Sequence, residues 1–187
     1  MMLSNKGYLH AVTGLLTLYF NLCRLRVGPQ DVPASNFLLS LLIMFYLVVV
    51  GIKAMLVIPD INLLTAAAQS GLDVVLLSLF TWTVLATKNL GERFVQTLSA
   101  LVGAKCLLEI VSIPVVWTIM QGGEGEGSSI AFLLLIIFSI WLLAVLGHIF
   151  RHALSVGMAT GVFVTIGYLL FSTAVTFKFF PPPAVSG

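Results

Sequence analysis

The sequence predicts an all-α fold, a polytopic membrane bundle of five transmembrane helices preceded by an interfacial amphipathic helix. Three observations lead there. Only 9% of the 187 residues are charged while 59% are hydrophobic, whereas a soluble domain carries about 25% charged residues. Five apolar runs reach the roughly 20 residues that a helix needs to cross a bilayer. Proline, glycine and polar clusters separate those runs into discrete segments. The chain divides accordingly into an amphipathic helix with a Pro/Gly connector over 1–35, a five-helix transmembrane domain over 36–180, and a short tail over 181–187. A net charge of +2 is too small to suggest a nucleic-acid partner. Cys23 and Cys106 supply no disulfide framework and read as unbonded, small apolar side chains.

The first element, Tyr8–Cys23, is short for a span. Its polar positions His10, Gly14, Thr17, Asn21 and Arg24 step by four, three, four and three, which marks one face of an α-helix. The remaining surface is Leu, Val, Tyr and Phe, the make-up of a helix lying in the membrane interface with its polar stripe toward water. A tilted sixth span is the alternative; a signal peptide is set aside for want of a small-residue cleavage site. Arg24–Ser35, RLRVGPQDVPAS, is a connector broken by Gly28–Pro29 and Pro33, with Ser35 or Asn36 placed to cap the next helix.

The first span is Asn36–Ile58, stopped by Pro59–Asp60, with Lys53 near enough to its end to reach the interface. The second is Asn62–Thr87, carrying Gln69 and Asp73 four apart on one face. Lys88–Glu92 makes a tight polar turn. The third span is Arg93–Met120, RFVQTLSALVGAKCLLEIVSIPVVWTIM, with Lys105, Glu109 and Pro114 well inside it. Proline should kink it, which neighbouring helices tolerate in a membrane. Gln121–Ser129, QGGEGEGSS, is a flexible acidic loop. The fourth span, Ile130–Phe150, ends at Gly147–His152, and Ser155–Gly157 turns the chain into the fifth, Met158–Phe180. There Gly161, Gly167, Ser172 and Ala174 allow close helix approach, and Pro181–Pro183 ends it.

The intramembrane charges are the first candidate site. An ionised group at the bilayer centre costs about 2.5–3.5 kcal/mol on insertion scales, so each must be paired or face protein. Lys105 and Glu109 lie four apart and share a helix face. The tight turn before the third span makes it antiparallel to the second and brings Asp73 and Lys105 to similar depth. Asp73, Gln69, Lys105 and Glu109 thus form an expected polar cluster. It reads either as a buried ion pair that binds two helices or as a proton or ion pathway. Asp73, Lys105 and Glu109 sum to minus one if all ionise, so one carboxylate must be protonated or paired elsewhere.

The second candidate is a polar patch for lipid or a partner, made of Arg24, Arg26, Arg93, His148, Arg151 and His152. His148 and His152 are four apart, a spacing that allows two imidazoles on one metal. Two ligands do not make a site, so neither a metal nor a cofactor is expected, although a haem held by His148 is a minor alternative. Gly122–Gly127 lacks the Lys-Ser/Thr and the strand of a phosphate loop, and no G-x-S-x-G occurs, so no enzymatic activity is expected.

Phe94–Pro114, FVQTLSALVGAKCLLEIVSIP, and Trp141–Ser155, WLLAVLGHIFRHALS, resemble the Yip1 family of five-span membrane proteins. In that family a helix opening with an aromatic residue, then a small residue and Leu, runs to a proline. The next helix ends in Trp, aliphatics, Gly and a polar cluster. The likeness covers about half the chain, and the charges Lys105 and Glu109 depart from it. It implies a five-helix fold and a non-enzymatic role in membrane organisation.

These readings lead to a scaffold, assembly factor or accessory subunit, with a small proton- or ion-coupled transporter subunit using Asp73, Lys105 and Glu109 as the alternative. The expected partners are the lipid bilayer and other membrane subunits. Short loops suit a bacterial inner membrane. Lys6, Arg24, Arg26, Lys88, Arg93 and Arg151 fall on one side, against Lys53 and Lys178 on the other. By the positive-inside rule the N-terminus is cytoplasmic and the C-terminus outside.

Overall fold

A computed structural model of the chain describes residues 3–57, 61–121 and 126–181. The Pro59–Asp60 stop, Glu124 and the 182–187 tail lie outside the described residues, as do the side chains of Lys6, Tyr8 and His10. The elements are α1 (Leu3–Cys23), α2 (Asn36–Val57), α3 (Leu63–Ala86), α4 (Phe94–Gln121), α5 (Glu126–Leu154) and α6 (Met158–Phe179). Short 3-10 turns at Pro29–Asp31 and Gly91–Arg93 precede α2 and α4, and no strand occurs among the described residues. Helices α2 to α6 are each long and apolar enough to cross a membrane, whereas the apolar part of α1, Val12–Cys23, is shorter. This is the fold of a multi-pass membrane protein.

Helix α4 is the axis of the bundle. It packs against α1, α2, α3 and α5, while α6 closes the far side on α3 and α5. Its span is 56% buried, against 11% to 28% for the others. The cause is compositional. The run Thr97–Cys106, TLSALVGAKC, is buried at every position, and its Ser99, Ala100, Gly103 and Ala104 are small enough for helices to approach on several sides. A helix without a polar face is one surrounded by protein. Although the short turn joins α3 to α4, α4 packs more extensively on α2 and α5.

Local chemistry sets the boundaries. The Ser35 hydroxyl accepts from the Leu38 amide at 3.3 Å and caps α2. The Asn62 carboxamide accepts from Thr65 N at 2.8 Å and caps α3. Asn89 and Ser155 take positive φ, 56° and 54°, closing the turns that follow α3 and α5. The acidic loop is shorter than the sequence suggested, because Gln121 still belongs to α4 and Glu126–Ser129 already belong to α5. Helix α4 runs through Pro114 without ending.

Helix α1 begins at Leu3 and packs its C-terminal half against α4. Tyr19, Leu22 and Cys23 are buried, whereas Gly14, Thr17 and Arg24 of the polar stripe are exposed and Asn21 is half-buried. The Tyr19 ring lies where a Cβ on Gly103 would stand, and its hydroxyl donates to Ser99 O at 3.3 Å. Gly103 is thus the gap in α4 that seats α1.

Candidate functional site

Four helices meet at mid-span in one polar network. Asp73 is the eleventh of the 24 residues of α3, Lys105 the twelfth of the 28 of α4. Tyr46 and Tyr168 are each the eleventh of 22, in α2 and α6. The Lys105 ammonium bridges both Asp73 oxygens, at 3.0 Å to Oδ1 and 2.7 Å to Oδ2. The Tyr168 hydroxyl donates to Asp73 Oδ1 at 3.0 Å, and that of Tyr46 donates to Oδ2. Lys105 Nζ also lies 3.2 Å from the Tyr168 oxygen. It faces the rings of Tyr46 and Tyr168 at 5.3 and 5.4 Å from their centroids, close enough for cation–π attraction. Phe80 packs on the Tyr168 ring from α3, with centroids 5.5 Å apart.

The charges balance within this layer. Lys105 is 7% exposed, and a charge so buried requires a counter-charge and hydrogen bonds. Asp73 supplies the first, and the two tyrosines fill the remaining lone pairs of the carboxylate. Sequence reasoning passed over Tyr46 and Tyr168. The available signal was a phenol at the centre of an otherwise aliphatic span, where its hydroxyl must find a partner.

Glu109 does not join this cluster. It turns instead to Lys53 of α2, Nζ to Oε2 2.5 Å, and Lys53 also donates to Ser112 Oγ at 2.8 Å. This corrects two expectations. The trio of Asp73, Lys105 and Glu109 separates into two layers, and Lys53 reaches inward rather than to the interface. The spare negative charge is thereby neutralised by a residue from a parallel helix. The two layers are four residues apart along α4, a rise of about 6 Å. Gln69 is half-buried and makes no hydrogen bond to Asp73; sharing a helix face did not bring it into the network.

The other expected patch gathers at one end of the bundle, where the connector and the turns after α3 and α5 meet. Three connector carbonyls and the last carbonyl of α1 are held by side chains from α4 and α5. Trp141 Nε1 donates to Cys23 O at 2.8 Å. Gln96 Nε2 donates to Gln30 O and Val32 O, at 2.9 and 2.8 Å. His148 Nε2 lies 3.1 Å from Val27 O, and a carbonyl partner makes that nitrogen the donor. The reason is that backbone groups outside regular structure must still be satisfied when buried. His148 and His152 adjoin, with ring centroids 4.5 Å apart, but among the described residues no Cys, Asp, Glu or further His completes a metal-sized group with them. Burial pushes the Cys23 thiol up to about 11, which keeps it protonated, and raises the Tyr19 hydroxyl as well.

Of the basic residues, Arg93 is anchored, its Nη1 donating to Ala153 O and Ser155 Oγ, both at 3.0 Å. Arg24 folds over the Phe20 ring, 5.5 Å from its centroid. Arg26 and Arg151 are exposed. Sequence reasoning missed Gln96 and Trp141, which read as ordinary span residues until the connector is seen lying against them. No family model, no curated protein and no solved structure matches the chain.

Proposed function

We propose that this protein is a non-enzymatic scaffold, assembly factor or accessory subunit of a membrane complex, of the membrane-organising kind that the Yip1 resemblance implies. The observation that carries this reading is the Tyr46–Asp73–Lys105–Tyr168 network, in which four helices each contribute one residue at mid-span. Both carboxylate oxygens and the ammonium are engaged, and the second carboxylate, Glu109, has its own cation. A set of charges neutralised in this way fixes helix register rather than offering a free group to a travelling ion. The protein is assigned to a bacterial inner membrane with the N-terminus cytoplasmic and the C-terminus outside.

The second reading is a proton- or ion-coupled transporter subunit. It rests on the partial, 23% exposure of the Asp73 side chain. One pair of variants separates the two. Asp73→Asn strands Lys105 and should lower stability by about 3–5 kcal/mol, the usual cost of removing one partner of a buried pair. Asp73→Leu with Lys105→Met removes both charges and should recover much of that loss. A register lock gives a stable double variant that still supports cellular function. A stable double variant without function would sink the scaffold reading in favour of the transporter.

A further inference from the structure

The basic end of the bundle holds a polar pocket of about 290 Å³, lined by Pro29, Gln30, Arg93, Gln96, Thr97, His152, Ala153 and Ser155. Three observations there point to an anion. Arg93 is held by two neutral acceptors, and among the described residues the ion pairs are Lys53–Glu109 and Lys105–Asp73 alone. Its guanidinium therefore has no carboxylate. Thr97 is 1% exposed and lines this pocket, yet its hydroxyl makes none of the hydrogen bonds among the described residues and is not turned back onto its own helix. Among the described residues the fully enclosed side-chain oxygens without a partner are those of Thr81 and Ser99, so the little surface that Thr97 keeps is at its hydroxyl, toward the pocket. Finally, the pocket opens at the N-terminal end of α4, where the helix dipole is positive. The nearest connector carboxylate, Asp31, is folded back to accept from Gly28 N at 2.9 Å and does not line the pocket.

We propose that this pocket is a binding site for a phosphate group. Arg93 supplies the charge-assisted donors left free by its Nη1 contacts, the Thr97 hydroxyl supplies a neutral donor, and His152 also lines the pocket. Arginine matches the planar spread of phosphate oxygens. The volume suits a single small headgroup and is at the lower limit of pockets that enclose larger ligands. The same chemistry has two sources, an anionic lipid headgroup or free phosphate. The site does not depend on the scaffold reading, since the network at mid-span and this pocket share no residue.

The test uses the full chain in phosphatidylcholine nanodiscs. One arm adds phosphatidic acid to the bilayer, and the other adds inorganic phosphate to the solution. Binding is followed by 31P line broadening and by thermal shift. Saturable binding is expected in at least one arm, which identifies the source. Arg93→Gln should weaken it about tenfold or more, as loss of a hydrogen bond to a charged group does. Thr97→Val keeps shape and packing and should weaken it about threefold to tenfold; it keeps the test decisive where Arg93→Gln disturbs the Ala153 contact. Arg26→Gln, exposed and outside the pocket, should leave binding unchanged. Absence of saturable binding in both arms, unchanged binding in Thr97→Val, or equal loss in Arg26→Gln would each overturn the site.

Discussion

Asp73 accepts from three donors on three other helices, and this crowding explains why the position tolerates a charge. Lys105 neutralises it, while Tyr46 and Tyr168 each hold one oxygen. The Lys53–Glu109 pair is built more loosely. The two carboxylates are equally exposed, Glu109 at 24% and Asp73 at 23%, but Lys53 is 23% exposed against 9% for Lys105, and among the described residues Ser112 is the one further side-chain partner of the pair, through Lys53. A better-solvated pair has less desolvation to recover and less to lose when broken. Glu109→Gln should therefore destabilise the protein clearly less than Asp73→Asn, by about 1–2 kcal/mol rather than the 3–5 kcal/mol of the deeper pair. Thermal unfolding of the two variants in the same detergent checks the order. Equal losses would mean that stranding Lys53 costs as much as stranding the more deeply buried Lys105, and that the two layers act as one network.

At the scale of elements, close approach between helices rests on a few positions without a side chain. A Cβ on Gly161 of α6 would meet Gly147 O and, at 2.9 Å, Arg151 N of α5. These are backbone atoms that cannot turn aside. A Cβ on Gly103 would instead meet the Tyr19 ring, which can move with α1. Gly161→Ala should accordingly separate α5 from α6 at their most extensive contact and cost about 1–3 kcal/mol, the range for overpacking a closed interface. Gly71→Ala, with open space around it, is the matched control and should be neutral. Melting both variants side by side tests this; a neutral Gly161→Ala would show that the α5–α6 contact is slack. The five long helices were legible because apolar runs of that length have few other uses, and their breaks fell where Gly, Pro and Asn stand. The partners of each helix were not legible. A membrane helix with apolar residues on every side gives no periodic signal for which face meets which neighbour, so the primacy of α2 and α5 over α3 as neighbours of α4 emerged only in three dimensions. The pairing of Asp73 with Lys105 was readable because the Lys88–Glu92 turn fixes their depth. The pairing of Glu109 with Lys53 was not, because no turn joins α2 to α4.

At the scale of the whole molecule, the charge distribution is more one-sided than a count of residues suggests. The connector, the α3–α4 turn and the α5–α6 turn form one surface, tied by Gln96 to Gln30 and Val32 and by Arg93 to Ala153 and Ser155. That surface carries Arg24, Arg26, Arg93 and Arg151. At the other end Lys53 is withdrawn into its pair with Glu109, which leaves Lys178 near the end of α6. Orientation responds to Lys and Arg in short loops, with acidic residues counting for little, so Lys53 adds little to the far side and the bias strengthens. This bias supports the proposed orientation, with the connector end in the cytoplasm. A reporter inserted within Lys88–Glu92 should read cytoplasmic, and one fused after Gly187 should read periplasmic or extracellular, because an odd number of spans puts α6's end opposite the connector. Reversing the bias is the stronger test. Arg24, Arg26 and Arg151 changed together to Gln leave the network and the Arg93 anchor intact, and should turn a measurable fraction of molecules over. Both reporters reading on one side would exclude the five-span topology, while an unmoved orientation in the triple variant would show that Arg93, Lys88 and the N-terminal segment hold it by themselves.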